Sequence, residues 1–224
     1  RYERMSEGRV LAESEKPTPT VGTTKKGLAT RDRIITGARE ALERDGMDSL
    51  TTRKIAASAD VRLATLHYYF DSKESILLAV LEDVIGDMCV SYEAAALAKD
   101  PDACIAELLR LIWSYIKKTR ERQIAQFELT IYALRTKNAQ WLAELQYNAY
   151  IDFYSRFVPT VPGVSEEEKK RVSKSLARFI LIGIDGLILQ AFALDDEEIS
   201  DQSVEALILA SQTYFRHLCD SVQR

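Results

Sequence analysis

The stretch from residue 50 to residue 76, LTTRKIAASADVRLATLHYYFDSKESI, predicts two short helices joined by a tight turn. Ile55, Ala56, Leu66 and Phe70 are apolar at helical spacing, and Val61 lies between them in the turn. Packed against a preceding helix, such a pair is a helix-turn-helix, which proteins use to place a helix in the major groove of DNA. Spacing alone does not distinguish it from a helical hairpin with a solvated outer face.

Three residues in this stretch differ from what a turn and a helix start usually contain. Asp60 stands in the turn, where glycine adopts a left-handed backbone most easily and aspartate does so less freely. Arg62 is at the N-capping position of the second helix, but its side chain has no acceptor for a backbone N–H. The missing cap lowers the stability of the helix by ~1 kcal/mol. Leu63 is apolar at the helix start, so that it either meets a thymine methyl group or packs onto a neighbouring side chain.

The charge of the chain is divided along its length. The 224 residues carry a formal net charge of −4, which excludes a uniformly basic nucleic-acid binder. Residues 25–73 contain 10 Lys/Arg and 7 Asp/Glu, whereas residues 74–224 contain 16 and 23. A basic front segment and an acidic remainder fit a small DNA-binding domain attached to a larger domain that does not touch DNA, although ordinary surface variation gives the same asymmetry.

Composition and periodicity predict an all-α protein of about nine helices. Nine glycines and five prolines are few for this length, and no strand pattern is present. We divide the chain into a disordered arm (1–27), a helix-turn-helix domain (28–74) and a helical domain (75–224). Predicted caps are Thr30 for the first helix, Asp71 or Ser72 with Glu74 for the fourth, Asn138 for a later one, and Ser165 with Glu168 for the longest.

Enzymatic chemistry is not indicated by any motif in the chain. P-loop, GxGxxG, HExxH and GxSxG patterns are absent, and His67 and His217 are the only histidines. Three widely spaced cysteines without a CxxC argue against a zinc site or a disulfide framework. We therefore expect no cofactor, no metal and no catalytic residue, and we expect a cytoplasmic protein without a membrane span or a signal peptide.

Four sequence patterns resemble the DNA-binding domain of the TetR (tetracycline repressor) family: LTTRKIA, V-x-x-x-TL, YYF and SK-E. The resemblance covers about residues 28–85. It implies that Thr52 binds a phosphate, that Arg53 reaches a base, and that Lys73 contacts the DNA backbone. His67 stands where the family usually has a phosphate-binding tyrosine. The full set of DNA-binding residues that we expect is Thr52, Arg53, Arg62, Leu63, Ala64, Thr65, His67, Tyr68, Tyr69 and Lys73.

The long helix SLARFILIGIDGLILQAFAL is apolar on more than one face, which predicts burial on two sides. Its GIDGLILQAF segment resembles the dimer helix of the BetI-like branch of the family. Glycines in it leave room for a partner helix, and a second apolar helix, SVEALILASQTYFRHL, follows. We expect a four-helix dimer interface that includes Gly183, Gly186, Leu187, Leu207 and Tyr214. The alternative is a purely internal core.

Aromatic residues with interspersed polar groups in the middle helices predict a ligand pocket. The predicted lining is Trp113, Phe127, Glu128, Tyr147, Tyr150 and Asp185. Glu128 could instead pair with Arg135 on the same helix. The carboxylates favour a cationic or hydroxylated ligand. Most aromatic side chains at this spacing are ordinary core, which is the alternative for each of these residues.

The resemblance implies a dimeric transcriptional regulator, expected to be a repressor, that reads a palindromic double-stranded DNA operator. A small-molecule effector of unknown identity would bind the helical domain and release the DNA. A regulator of the same fold that responds to a protein partner, or to no ligand, is the alternative. A helical enzyme is the least favoured interpretation.

Overall fold

The computed structural model describes residues 25–92, 100–194 and 196–223, without the side chains of Lys26 and residues 89–92. Within these residues the chain is all α, as the sequence predicts. The helices are α1 (Lys25–Asp45), α2 (Thr52–Ser58), α3 (Leu63–Tyr69), α4 (Lys73–Tyr92), α5 (Pro101–Lys118), α6 (Arg120–Arg135), α7 (Gln140–Tyr154), α8 (Glu166–Leu194) and α9 (Glu197–Val222). Two compact units divide between Val80 and Leu81, inside α4.

Apolar side chains from α1, α2 and α3 form the core of the first unit. Ile34 and Ala38 of α1, Ile55 of α2 and Leu66 of α3 are almost completely buried. Phe70, directly after α3, closes this core at 4 % exposure, whereas the turn residue Val61 is only partly buried. Burying a side chain of this size stabilises a fold by roughly 1.5–3 kcal/mol, so these few positions hold the three short helices together.

The helix starts of the first unit differ in detail from the predicted ones. α1 begins at Lys25, so Thr30 lies inside the helix and cannot cap it. Thr51 caps α2, because its hydroxyl oxygen accepts from the Lys54 backbone N–H at 3.2 Å. Thr52 is therefore the first helical residue.

Serines rather than a carboxylate complete the cap of α4. The Ser72 hydroxyl oxygen accepts from the Ser75 backbone N–H at 3.1 Å. In return, the Ser75 hydroxyl oxygen accepts from the Ser72 backbone N–H at 3.2 Å. The prediction of Ser72 as a capping residue is confirmed. The predicted box through Glu74 is wrong, because Ser75 occupies the third helical position from which a side chain reaches back to the cap.

In the second unit α8 packs against α7 and α9, and α5 packs against α9. The predicted capping box is present at α8, where the Ser165 hydroxyl and backbone N–H both donate to Glu168. Asn138 does not cap α7. It adopts a left-handed backbone, with φ 66°, and Ala139 at the cap has no side-chain acceptor. Asp196 caps α9, because its carboxylate accepts from the Ile199 backbone N–H at 3.0 Å.

A row of polar contacts joins α5 to α9. The Trp113 indole N–H donates to Asp201 at 2.6 Å, and Arg110 makes two hydrogen bonds to Glu205 at 2.9 and 2.8 Å. The indole therefore has a hydrogen-bonding role between these helices.

By length and composition, α8 is long and apolar enough to cross a membrane, whereas no membrane span was predicted from the sequence. Core helices of soluble proteins pass the same test, and α8 buries Leu176, Ile180, Ile184 and Ile188 against its own chain.

Candidate nucleic-acid interface and cavity

The outer face of α3 is the exposed surface that the sequence assigns to DNA. Ala64, His67 and Tyr68 are exposed, and Tyr68 keeps 60 % of its surface in solvent. Leu63 and Thr65 are partly exposed. Small and polar residues flank Tyr68 on this face. The face thus combines hydroxyl and imidazole groups with small residues that allow a helix to enter a groove.

The other predicted DNA-binding residues flank α3. Arg53, on the first turn of α2, and Arg62, directly before α3, are exposed. Thr52 is partly buried beside Arg53. Tyr69 is partly buried and packs its ring edge against Tyr68, with ring centroids 5.2 Å apart. The orientation of Tyr68 on the outer face is therefore supported by its neighbour.

Lys73, the first residue of α4, is partly buried, and this burial lowers the pKa of its ammonium group. The nearby Glu74 and Asp48 carboxylates oppose that shift. A partly desolvated ammonium gains more from an anionic partner than a fully hydrated one, because less water screens the pair.

The turn between α2 and α3 has the left-handed backbone that the sequence predicts, with φ 50° at Asp60. Its peptide is held from α1, because the Arg33 guanidinium donates to the Asp60 carbonyl oxygen at 3.2 Å. Arg62 makes no capping hydrogen bond through its side chain, as predicted. The turn is thus stabilised by a neighbouring helix rather than by its own capping residue.

A close approach of α1 to the end of α2 was not predicted. A methyl group added at Gly37 would lie 2.7 Å from the backbone nitrogen of Ala59 and 2.8 Å from its Cα atom. No side chain fits there. A glycine in the middle of an otherwise helical stretch was the available signal, since it costs roughly 1 kcal/mol in a helix and needs a reason.

Arg31 of α1 contacts a core residue of the first unit. Its guanidinium lies over the Phe70 ring, 5.3 Å from the centroid. Lys25 begins α1 and is exposed, while Lys26 has a side chain outside the described atoms. Residues 25–27 of the predicted arm thus belong to α1, and residues 1–24 lie outside the described residues.

Four of the six predicted pocket residues come together in the second unit. Two small cavities, about 30 Å³ each, share the lining residues Gln123, Gln126, Tyr150, Asp185 and Ile188. Phe127 and Tyr147 line one of them, and Tyr115 and Tyr154 line the other. We call the two together the Asp185 cavity. Each half has room for one or two water molecules, so a larger guest requires side chains to move.

Hydrogen bonds cross the Asp185 cavity between helices. The Tyr147 hydroxyl donates to the Asp185 carboxylate at 3.0 Å, and the Tyr150 hydroxyl donates to the Gln126 side-chain oxygen. Burial raises the pKa of Asp185 to about 6, an effect that the bond from Tyr147 partly offsets. Burial also raises the pKa of Tyr147 to about 12 and that of Tyr150 further. The phenols are neutral near pH 7, and the carboxylate titrates close to it.

The structure places Trp113 and Glu128 away from this cavity. Trp113 is buried beside Asp201 between α5 and α9. Glu128 is on α6 but is not among the described residues that line either half. Helical spacing shows which faces of the middle helices are aromatic, but it does not show which neighbouring helix each face contacts. Gln126, Tyr115 and Tyr154 line the cavity and were not selected from the sequence.

The predicted dimer residues fall into two groups. A methyl group at Gly183 would lie 2.4 Å from Leu207 of the same chain, so this glycine serves the internal α8–α9 contact. Tyr214 likewise stacks on Phe179, with ring centroids 4.9 Å apart. Gly186 faces open space, and no described atom lies within 4 Å of a methyl group built there.

Exposed apolar side chains flank Gly186 on the outer face of α8, and α9 contains another. Ile182 and Leu189 lie four residues before and three after it, which is the same helix face, at 66 % and 55 % exposure. Leu209 of α9 is 64 % exposed. We call these four residues the α8–α9 stripe. Leu187, also predicted, is partly buried beside it.

Comparison with known proteins agrees with this geometry. A sequence profile of bacterial regulatory proteins of the tetR family matches residues 34–80, which include α2, the turn and α3. A nicotine-responsive transcriptional repressor of Paenarthrobacter nicotinovorans, HdnoR, is 26 % identical over 73 % of this chain and 84 % of its own. The transcriptional repressor NicS of Pseudomonas putida is 29 % identical over 38 % of this chain and 41 % of its own.

Solved structures share the fold. A TetR-family regulator from a Rhodococcus species superposes with a TM-score of 0.64 at 15 % identity, over 83 % of this chain and 98 % of its own. The multidrug binding protein EbrR, in complex with imidazole, gives 0.58 at 22 % identity, over 79 % and 92 %. At these identities the likeness establishes the all-α architecture.

Proposed function

Because this chain belongs to the TetR family of bacterial transcriptional regulators, we propose that it is a repressor released from DNA by a small molecule. The observation that carries the proposal is the open outer face of α3, held on a packed core and flanked by Arg53 and Arg62. A regulator of this kind acts on the chromosome, which places it in the cytoplasm. The curated relatives are regulators rather than enzymes, and no catalytic role is proposed.

In this proposal α3 enters the major groove and reads bases from its first turn. Leu63, Ala64 and Thr65 face base edges, because the N-terminal residues of a recognition helix come closest to them. Arg53 and Arg62 flank this turn with five N–H donors each, which suits guanine or phosphate. Leu63 contributes a contact to a thymine methyl group, which explains an apolar residue at a partly exposed helix start.

Phosphate contacts fix the orientation of the helix-turn-helix domain on DNA. Thr52 and Tyr69 supply hydroxyl groups, His67 supplies a ring N–H, and Lys73 supplies a charge at the start of α4. Tyr68 extends from the same face. Such contacts carry affinity for any sequence, whereas the first turn of α3 carries the preference.

We propose a homodimer that joins two copies through the α8–α9 stripe. One helix-turn-helix domain covers one half-site of the operator, and two such domains related by a two-fold axis read a palindrome. The stripe is apolar and exposed on both α8 and α9, and Gly186 has no side chain, so a helix of a second copy can approach it closely. Gly183, Leu207 and Tyr214 support this surface from beneath through the α8–α9 contact.

The proposed effector site is the Asp185 cavity. HdnoR is named as nicotine-responsive, and EbrR has been solved with ethidium and with proflavin, so related or similar proteins respond to or bind small aromatic molecules. Met88 of α4 lines this cavity, and α4 also contains residues of the DNA-binding unit. A shift of α4 on effector binding would change the spacing between the two helix-turn-helix domains of the dimer. The dimer would then no longer bind both halves of the palindromic operator.

Selection of DNA from a random library by the full-length chain tests this function. We expect enrichment of a palindromic site. Arg53→Ala should weaken binding to the selected site at least tenfold, and Leu63→Gln should change the preferred base at one position of each half-site. Arg156→Ala, which removes an exposed arginine from the second unit, is the matched control and should bind normally.

Two results would contradict the proposal. Recovery of no preferred sequence would remove sequence-specific repression as the function. An unchanged base preference in Leu63→Gln would remove the thymine contact and leave Leu63 as a packing residue.

A further inference from the structure

Asp185 is the one acid in the apolar C-terminal half of α8. It lines both halves of the Asp185 cavity and is the one carboxylate among the described residues that do so. The Tyr147 hydroxyl donates to one of its oxygens. An ionised carboxylate accepts about four hydrogen bonds. Asp185 can therefore accept further hydrogen bonds or a positive charge from a molecule in the cavity.

Basic side chains do not line this cavity within the described part of the chain. Arg122 contacts one lining residue, because its guanidinium donates to the Tyr115 hydroxyl at 2.8 Å, and it also lies 3.9 Å from the Asp87 carboxylate. Arg122 therefore has partners other than Asp185. A partly buried carboxylate without a neutralising partner is costly, and its position in a cavity indicates a partner that comes from outside.

The remaining polar lining suits a positive guest. Four tyrosines, Tyr115, Tyr147, Tyr150 and Tyr154, line the cavity together with Gln126. Aromatic rings attract cations through their π faces by roughly 0.5–2 kcal/mol. The Tyr150 hydroxyl donates to Gln126 and not to Asp185. This hydrogen bond therefore does not neutralise the Asp185 carboxylate. An anion would find one carboxylate and no cationic side chain among these residues.

From this arrangement, and resting on the proposed function, we infer that the effector is an organic cation whose charge is held at Asp185 among the four tyrosines. The cation takes over the role of the Tyr147 hydroxyl as the partner of the carboxylate. Because each half of the cavity holds only about 30 Å³, binding separates Tyr147 from Asp185 and so moves α7 relative to α8. A neutral molecule of the same shape lacks the interaction that offsets this opening.

A matched pair of probes tests the inference with the full-length protein and without DNA. Phenyltrimethylammonium carries a fixed positive charge, and tert-butylbenzene is its neutral isostere. Calorimetric titration of the wild-type chain should show at least tenfold tighter binding of the cation. Asp185→Asn should abolish this preference, Asp185→Glu should retain it, and Glu144→Gln, which removes an exposed carboxylate on α7, should leave it unchanged.

The pH dependence gives a second measurement that does not require a variant. Asp185 has a pKa of about 6, and burial raises the pKa values of Tyr147, Tyr150 and Tyr154, so these three phenols stay uncharged from pH 5 to pH 8. Cation affinity should therefore fall severalfold from pH 8 to pH 5, while affinity for the neutral probe stays constant. This readout applies even if Asp185→Asn fails to fold.

Equal affinity for the two probes, binding of neither, or a cation preference that survives in Asp185→Asn would each overturn the inference. None of these results depends on DNA. The selection experiment with α3 variants uses no effector, so failure of the DNA-reading proposal and failure of the cation proposal are observed separately.

Discussion

Gly37 of α1 lies against the backbone of Ala59, the last buried residue before the turn that leads into α3. A methyl group at Gly37 would approach the Ala59 nitrogen to 2.7 Å. Four residues earlier on α1, Arg33 donates to the carbonyl oxygen of Asp60. One face of α1 thus fixes both sides of the turn, by contact and by a hydrogen bond.

Gly37→Ala should destabilise the first unit by roughly 1–3 kcal/mol, because the added methyl group meets backbone atoms that have to shift. The gain in helix propensity of up to ~1 kcal/mol does not offset this overlap. Urea unfolding of the full chain measures the difference. Gly86→Ala on α4, where no described atom lies within 4 Å, is the control and should be neutral or stabilising. Equal effects at the two glycines would show that the close approach has no energetic consequence.

Arg62→Ser should raise stability and lower DNA affinity together. A serine hydroxyl at this position accepts from the Ala64 or Thr65 N–H and adds about 1 kcal/mol to the free energy of unfolding. The same change removes an exposed guanidinium beside the first turn of α3. Urea unfolding and binding to the selected operator measure the two effects. If affinity is unchanged, Arg62 makes no DNA contact and its place at the cap is left without explanation.

The helix-turn-helix could be predicted from sequence because its determinants are local. Residues a few positions apart define each helix, and the buried Ile55, Leu66 and Phe70 follow from period alone. The left-handed Asp60 followed from the same local pattern. Gly37 was missed because its function depends on Ala59, which lies more than 20 residues away in the chain.

The cavity was predicted only in part, for a related physical reason. Helical periodicity shows that several faces of the middle helices are aromatic, but the rotation of each helix depends on its neighbours. Tyr147 and Tyr150 point to the same cavity, whereas Trp113 turns to Asp201 on α9. The sequence contains no local signal for that pairing, since the two residues are far apart in the chain.

Leu209→Arg should weaken self-association at least tenfold, because it places a charge in the proposed interface of the α8–α9 stripe. Size-exclusion chromatography with light scattering over a dilution series measures the dissociation constant. Ile131→Arg on α6, which replaces an isoleucine that is 51 % exposed, is the matched control. A wild-type chain that is monomeric at all concentrations, or equal effects of both variants, would contradict dimerisation through α8 and α9.

Asp185 should make folding stability depend on pH in a direction opposite to that of a salt-bridged carboxylate. Burial raises its folded pKa from 3.8 to about 6, so the folded chain binds a proton more tightly than the unfolded chain. Its contribution to stability is fully present below the unfolded pKa and is lost as the pH rises through the folded pKa. From pH 5 to pH 8 the loss is roughly 1 kcal/mol.

Asp185→Asn keeps an acceptor for Tyr147 and removes this titration. The stability difference between Asp185→Asn and the wild type, from urea unfolding at both pH values, should therefore favour the variant more at pH 8 than at pH 5. Other titrating groups are common to both proteins and cancel in this difference. A difference that is the same at the two pH values would show that the carboxylate is no harder to ionise in the folded chain than in the unfolded one. The cavity would then lack the uncompensated charge on which the cation proposal depends.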